Sequence, residues 1–355
     1  MSLPEVICET RGAAGLIRLN RPQALNALTL GMVRDIDRAL DAWENDPAIA
    51  CVIVTGEGGK AFSAGGDIRL LHDQGRAGDH AAQLDFWREE YILNRRIKLY
   101  SKPYVSLIDG IVMGGGAGVS INGSHRVAGD RFMFAMPEVG IGFFPDIGAT
   151  WFLPRLPGKT GLYLALTGAR AKAGDAVALG LAEAYVPSDR IEALREALIA
   201  GEAVDAAIAR HSAPAPASAI VAEQAVIDSC LSGASVADCL ARLDAAGAQS
   251  AFAAEMAGTI RTKSPTSLAI SFRQMQVGGG LDMDEAMRTE FRIVSRLCRG
   301  HDFYEGVRAV IVDKDNAPRW SPADVSAVTD AEIDAYFAPL PEAEELRFGE
   351  KAGVA

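Results

Sequence analysis

Short β-branched apolar runs alternate with helical periodicities over the first two-thirds of the chain. Leu16–Leu19 predicts a strand, and Cys51–Thr55 (CVIVT) has the wholly apolar character of a strand buried on both faces. Tyr104–Ile108 (YVSLI) repeats that character after Pro103, and His125–Ala128 predicts a further short strand. Between the first two, Thr29–Trp43 carries apolar residues at Met32, Val33, Ile36, Leu40 and Trp43, the spacing of one helical face, with Thr29 placed as N-cap. This alternation predicts α/β layers around a mainly parallel sheet. After about residue 158 the strand signals thin out. Residues 161–184 predict two helices around the Thr167-Gly168 break, and HSAPAPAS at 211–218 reads as a connection or a helix boundary. The helical pattern then runs to about Arg299, and Pro318, Pro322, Pro339 and Pro341 mark a helical or irregular tail. The chain thus divides into an α/β core over 1–210 and a mainly helical region over 211–355 packed on it. No fixed-period repeat is visible.

Composition narrows the function classes. The chain has 355 residues, 49% of them apolar and 23% charged, enough to bury a full core without metals or disulfides. Its formal net charge of −11 argues against nucleic acid as a partner, because phosphate binding needs a basic surface. An anionic small ligand must then meet locally basic residues or backbone N–H groups. Cys8, Cys51, Cys230, Cys239 and Cys298 are scattered, odd in number and without a C-x-x-C pair, which predicts reduced buried thiols and a cytoplasmic location. Cys298 and His301 have a C-x-x-H spacing, but one such pair does not complete a zinc site. Met1–Thr10 lack the basic start and apolar run of a signal peptide, and no stretch approaches the ~18–20 apolar residues of a membrane span.

Several familiar motifs fail. Gly158-Lys159-Thr160 resembles the end of a phosphate-binding loop, but Leu153 stands where that loop needs glycine. No G-x-G-x-x-G or H-E-x-x-H spacing occurs, and Ser120 has Asn122 where a nucleophile elbow needs its second glycine.

Three segments carry chemistry. KAFSAGGDI (Lys60–Ile68) follows a buried strand; it reads either as a loop capped by Asp67 or as a turn whose glycines let a ligand approach the backbone. DGIVMGGGAGVSI (Asp109–Ile121) puts three glycines between a strand and a helix. That is either a tight packing turn or a helix N-terminus whose free N–H groups suit a developing oxyanion. FAMPEVGIGFFPDIGATWFLPRL (Phe134–Leu156) sets Glu138 and Asp146 among Phe134, Phe143, Phe144, Trp151 and Phe152, where burial would raise a carboxyl's pKa. The other reading of these acids is helix caps or surface charges at turns.

Two glycine turns fifty residues apart followed by M-P-E-V-G-I-G, with LNRPQALNAL at Leu19–Leu28, resemble the crotonase (enoyl-CoA hydratase/isomerase) superfamily. The resemblance implies a crotonase (ClpP-like) fold: repeated ββα units forming a spiral core, with a C-terminal helical region. It places the two oxyanion donors at Gly66 and Gly115. Hydratases of this superfamily use two glutamates; the second corresponds to Glu138, while the first falls on Gly118 and is missing. GIGFFPDIGATWFLPRLPGK with Asp146, FWREEYILN around Glu90, SPTSLAI at 264–270 and RGHDFYEGVRAVIVDKD at 299–315 resemble the 3-hydroxyisobutyryl-CoA hydrolase branch instead. The implied substrate-binding positions are Glu90, Gly115, Glu138 and Asp146, with Glu138 and Asp146 catalytic. Read by itself, Glu90 is a solvated helical charge beside Arg88 and Glu89. The implied activity is hydrolysis of a short β-hydroxyacyl-CoA, with coenzyme A as part of the substrate and no cofactor or metal. Arg21 and Lys60 are candidate contacts to the coenzyme A phosphates. An enoyl-CoA hydratase or isomerase and a weakly catalytic acyl-CoA-binding protein are the competing readings. Superfamily members commonly form trimers or hexamers, so a homo-oligomer is a further expectation; a membrane is not an expected partner.

Overall fold

The computed structural model describes residues 4–349. Residues 1–3 and 350–355, the outer ends of the two expected regions, lie outside the described part, as does the start of the Met1–Thr10 stretch.

A six-stranded sheet forms the frame. Its strands are β1 (Val6–Arg11), β2 (Ala14–Leu19), β3 (Cys51–Gly56), β5 (Tyr104–Ile108), β7 (His125–Ala128) and β10 (Ala184–Tyr185), in the order β1-β2-β3-β5-β7-β10. All neighbours are parallel except β1 and β2, which form an antiparallel hairpin. The apolar run at 51–56 is explained by its two faces. Cys51 and Ile53 join Leu16, Val105, Leu107 and Val127 in one apolar cluster, covered by the helices Ser188–Ile199 and Val204–His211. Val52 and Val54 point the other way into the main core with Ile17, Leu19, Tyr104 and Ile108. Helix α1 (Leu30–Glu44) buries Met32, Val33, Ile36, Leu40 and Trp43, and the Thr29 hydroxyl accepts from the Met32 N–H at 3.2 Å, as the periodicity predicts.

A second, smaller sheet carries the function. Its strands are β4 (Ala61–Ser63), β6 (Ile111–Met113), β8 (Met133–Ala135) and β9 (Ala171–Lys172), in the order β4-β6-β8-β9. Strands β4, β6 and β8 are parallel. Each follows a strand of the large sheet, β3 to β4, β5 to β6 and β7 to β8, and this is the ββα repeat of the expected spiral. The run from 68 to 98 forms two helices, α2 (Ile68–Arg76) and α3 (His80–Lys98); a four-residue helix α4 (Gly115–Gly118) follows β6.

The region after 158 contains the two predicted helices, Thr160–Thr167 and Ala173–Leu179, around a left-handed Gly168. It also holds β9 and β10, whose two residues each give no readable alternation. Among the described residues no strand follows Tyr185. The helices Pro265–Gly278 and Met283–Leu297 pack on the core, and one apolar cluster runs unbroken from Val6 to Leu346. All five cysteines are free thiols. Among the described residues no helix is long and apolar enough to cross a membrane, and no group of His, Cys, Asp or Glu is arranged to hold a metal.

Candidate active site

Strand order brings the distant motifs together. Adjacent parallel strands lie about 4.8 Å apart, so the residues just beyond the carboxyl ends of β4, β6 and β8 are neighbours. Those residues are Gly66, Gly115 and Glu138. With Glu90 from α3 and Asp146 from the following loop, they line one cavity of about 640 Å³. The five residues singled out in the sequence therefore converge.

The two glycine turns face each other. In the bridge between Leu28 and Gly66, Leu28 N–H donates to the Gly65 carbonyl and Asp67 N–H to the Leu28 carbonyl, which leaves Gly66 N–H outside the pairing. Gly115 opens α4, where an N–H has no intrahelical acceptor. A methyl group placed on Gly115 would lie 3.2 Å from the Gly66 nitrogen and 2.4 Å from Glu90 Oε1, so a side chain here displaces the Glu90 carboxyl and crowds the facing N–H. The loop reading of the first turn also holds: Asp67 caps α2 by accepting from Leu70 N–H at 3.3 Å.

Three carboxyls reach the cavity from apolar surroundings. Glu138 begins a 3₁₀ turn after Pro137; Glu138 and Asp146 are 6% and 5% exposed, so neither is a surface charge. Glu138 Oε1 lies 3.4 Å from where a side chain on Gly114 would start, while its Oε2 has no hydrogen-bond partner among the described residues. Burial pushes the Glu138 pKa up, and the charge of Asp146 raises it further. Asp146 is pushed up to about 7 by burial, against the opposing pull of the Tyr91 hydroxyl, which donates to its Oδ2 at 2.8 Å. The stacked rings of Trp87 and Phe143, 5.5 Å apart, help wall the cavity.

Glu90 corrects the residue-level reading. It is not solvated: it is 2% exposed, its Oε1 has no partner among the described residues, and burial followed by the charges of Asp146 and Glu290 raises its pKa well above the usual range. The missed signal is periodic. Glu90 shares one face of α3 with Trp87, Tyr91 and Asn94, all buried, whereas Arg88 and Glu89 are only half-buried.

Gly118 lacks a side chain for a steric reason. A Cβ there would stand 2.7 Å from both amide atoms of Asn94, itself fully buried on α3. The volume a hydratase-type glutamate would need at this position is filled.

Two other basic residues line the cavity in place of the two marked in the sequence. Arg21 ion-pairs with Glu5 at 3.0 Å and Asp67 at 3.2 Å and donates to the Ala27 carbonyl, and neither it nor the exposed Lys60 lines the cavity. Arg69, at the start of α2, and Lys263 do line it. Burial lowers the Lys263 pKa. Single charges in surface-like sequence gave no signal for either.

Comparison with known proteins places this geometry in context. The family described as enoyl-CoA hydratase/isomerase matches residues 14–337. The protein named 3-hydroxyisobutyryl-CoA hydrolase, mitochondrial, of Xenopus tropicalis is 47% identical over 95% of this chain and 89% of its own length. The proteins of that name from Rattus norvegicus and Homo sapiens are 46% and 42% identical, over 95% and 97% of this chain and 89% and 91% of their own. Among solved structures, a carnitinyl-CoA dehydratase from Mycobacterium thermoresistibile superposes with a TM-score of 0.93 at 43% identity, covering 98% of this chain and 100% of its own. An enoyl-CoA hydratase from Rhodobacter sphaeroides gives 0.91 at 41% identity, covering 97% and 100%.

Proposed function

The chain belongs to the enoyl-CoA hydratase/isomerase (crotonase) family, and from that premise we propose that it hydrolyses a short β-hydroxyacyl-CoA thioester. The substrate is 3-hydroxyisobutyryl-CoA, converted to 3-hydroxyisobutyrate and free coenzyme A, a step of valine breakdown. The observation that carries this reading is the meeting of two free main-chain N–H groups with the buried carboxyls of Glu138 and Asp146 in one cavity, beside a position 118 that holds no acid.

The thioester oxygen sits between the N–H groups of Gly66 and Gly115. As water or a carboxylate adds to the carbonyl carbon, negative charge builds on that oxygen, and fixed dipoles aimed at it stabilise it. Backbone donors reconcile an anionic substrate with a chain of net charge −11, because they need no basic side chain. Arg69 and Lys263 supply positive charge for the coenzyme A phosphates. Glu138 drives the addition, either by taking a proton from water or by attacking the carbon; in both cases the C–S bond breaks and the coenzyme A thiolate leaves, and in the second the resulting anhydride is then opened by water. Single-turnover hydrolysis in ¹⁸O-water bears on this: label in Glu138 supports the anhydride, and label confined to the product counts against an anhydride opened at the Glu138 carbon. Asp146, held by Tyr91, receives the substrate's β-hydroxyl, with Glu90 on its other side. A buried group built to bond a hydroxyl discriminates against an acyl chain lacking one, because it is then left unpaired. No metal or cofactor enters these steps.

Hydration of an enoyl-CoA is the second reading. Two solved relatives carry names of that chemistry, and Glu90 gives the site a second buried glutamate from α3 in place of one at 118. One experiment decides. Thiol release is followed with a chromogenic disulfide beside the absorbance of an enoyl thioester. The proposal requires thiol release from 3-hydroxyisobutyryl-CoA and no hydration; hydration without thiol release overturns it.

Two further parts of the proposal rest on resemblance and composition. A homo-oligomer is expected from the superfamily, and light scattering tests it. A cytoplasmic location is the reading that the scattered, unpaired cysteines support, whereas the named relatives carry the word mitochondrial in their names; fractionation of the native source tests it.

A further inference from the structure

The segment that presents Asp146 has an unfavourable backbone. Ile147 has φ +58° and Gly148 φ +96°. A β-branched residue at positive φ is sterically disfavoured and persists only where the surroundings over-determine it. The surroundings here are three buried polar side chains from elsewhere in the chain. Asn122 Nδ2 donates to the Ile147 carbonyl at 2.9 Å. Gln274 Nε2 donates to the Pro145 carbonyl at 2.9 Å and to Thr150 Oγ1 at 2.8 Å. Glu290 takes both remaining contacts: Oε2 accepts from Gly148 N–H and Oε1 from Thr150 N–H, each at 2.8 Å. Every donor and acceptor in this clamp is buried, and Glu290 is fully so.

We infer that Glu290 is a positioning residue for Asp146, and that with Gln274 it makes the helices Pro265–Gly278 and Met283–Leu297 determinants of selectivity for the β-hydroxyl. The inference rests on the proposed role of Asp146. Glu290 does not line the cavity and touches no substrate atom; it acts through the turn. A carboxylate suits this position because two N–H groups converge on its two oxygens. An amide at 290 offers one acceptor and opposes the other N–H with its own NH₂. Its burial pushes the Glu290 pKa up to about 8, and the two N–H contacts pull the other way. The turn is therefore gripped most firmly when Glu290 is ionised.

The test compares kcat/KM for 3-hydroxyisobutyryl-CoA with that for the same thioester lacking the hydroxyl, on one enzyme sample. The ratio of the two is independent of the fraction folded, so partial unfolding does not mimic the effect. Glu290→Gln is expected to lower the ratio on the order of 10-fold, with Gln274→Met lowering it in the same direction and serving if the first variant does not fold. Asp146→Asn is the reference. If Asp146→Asn collapses the ratio while both Glu290→Gln and Gln274→Met preserve it, the inference is wrong and the role of Asp146 stands. If Asp146→Asn itself preserves the ratio, that role falls and this inference with it.

Discussion

Replacing Gly115 with alanine tests the oxyanion geometry at its tightest point. The added methyl would lie 2.4 Å from Glu90 Oε1, 3.2 Å from the Gly66 nitrogen and 3.3 Å from Leu28 Cδ1. To restore ordinary contact the Glu90 carboxyl must retreat by about 1 Å, and the opening between the two N–H groups narrows. A misplacement of that size in a reacting geometry costs about 100-fold, and loss of one oxyanion donor costs ~10²–10³ in rate, about 2.7–4 kcal/mol. Because these contacts strengthen as charge develops, the loss falls on kcat more than on KM. Overpacking separately lowers stability by about 1–3 kcal/mol. Gly118→Ala supplies the control. Its methyl meets Asn94 at 2.7 Å, on the same short helix but away from the cavity lining, so it pays a similar packing penalty without touching the donors. The assay is initial-rate thiol release, with thermal melts of both variants. The expected pattern is a 10²–10³-fold lower kcat for Gly115→Ala and near-normal turnover per folded molecule for Gly118→Ala. Equal turnover in the two variants, at comparable melting temperatures, would refute the reasoning.

The carboxyls and the mouth of the cavity give further tests. Glu138→Gln should leave acyl-CoA binding in calorimetry largely intact while removing turnover; full activity would dismiss Glu138 from the mechanism. Glu138 must be ionised to act, and burial together with the Asp146 charge raises its pKa, so kcat/KM should rise with pH along its acid limb. Asp146→Asn removes that negative neighbour, so in rate profiles the limb should move to lower pH; an upward move contradicts this coupling. Arg69→Ala with Lys263→Ala should raise KM for acyl-CoA, and should flatten its rise with added salt, while leaving kcat nearly constant. An unchanged KM at low salt places the phosphates elsewhere. Phe143→Ala should destabilise the fold by about 3–5 kcal/mol in denaturant titration, because its ring packs on Trp87, Phe144 and Phe303.

The sequence reveals elements where one physical signal dominates and hides them where two compete. Strands β3 and β5 are legible because both faces are buried, and α1 because its apolar face is regular. Strand β1 is not, since only Val6 of its six residues is buried and the run VICETR carries no clear alternation. Strands β4, β6 and β8 are three residues each, too short for any period to show, yet they align Gly66, Gly115 and Glu138. The aromatic surroundings mark Glu138 and Asp146 in the sequence, whereas the joining of the turns into one site, and Glu90, rest on the motif resemblance. Tyr91 and Glu290 escaped notice for a common reason: a tyrosine or glutamate on an amphipathic helix looks the same whether it faces solvent or a buried partner 55 or 142 residues away. The ion pairs of Arg21 are not legible in the sequence because its partners Glu5 and Asp67 lie 16 and 46 residues away.

A crystal structure of the wild-type protein with a non-hydrolysable ketone analogue of the β-hydroxyacyl thioester tests the central claim most directly. The account predicts the keto oxygen at about 2.7–3.1 Å from both the Gly66 and Gly115 nitrogens, with a Glu138 carboxyl oxygen facing the carbonyl carbon. An oxygen bound away from those two amides, or a Glu138 side chain turned from the carbon, would contradict it.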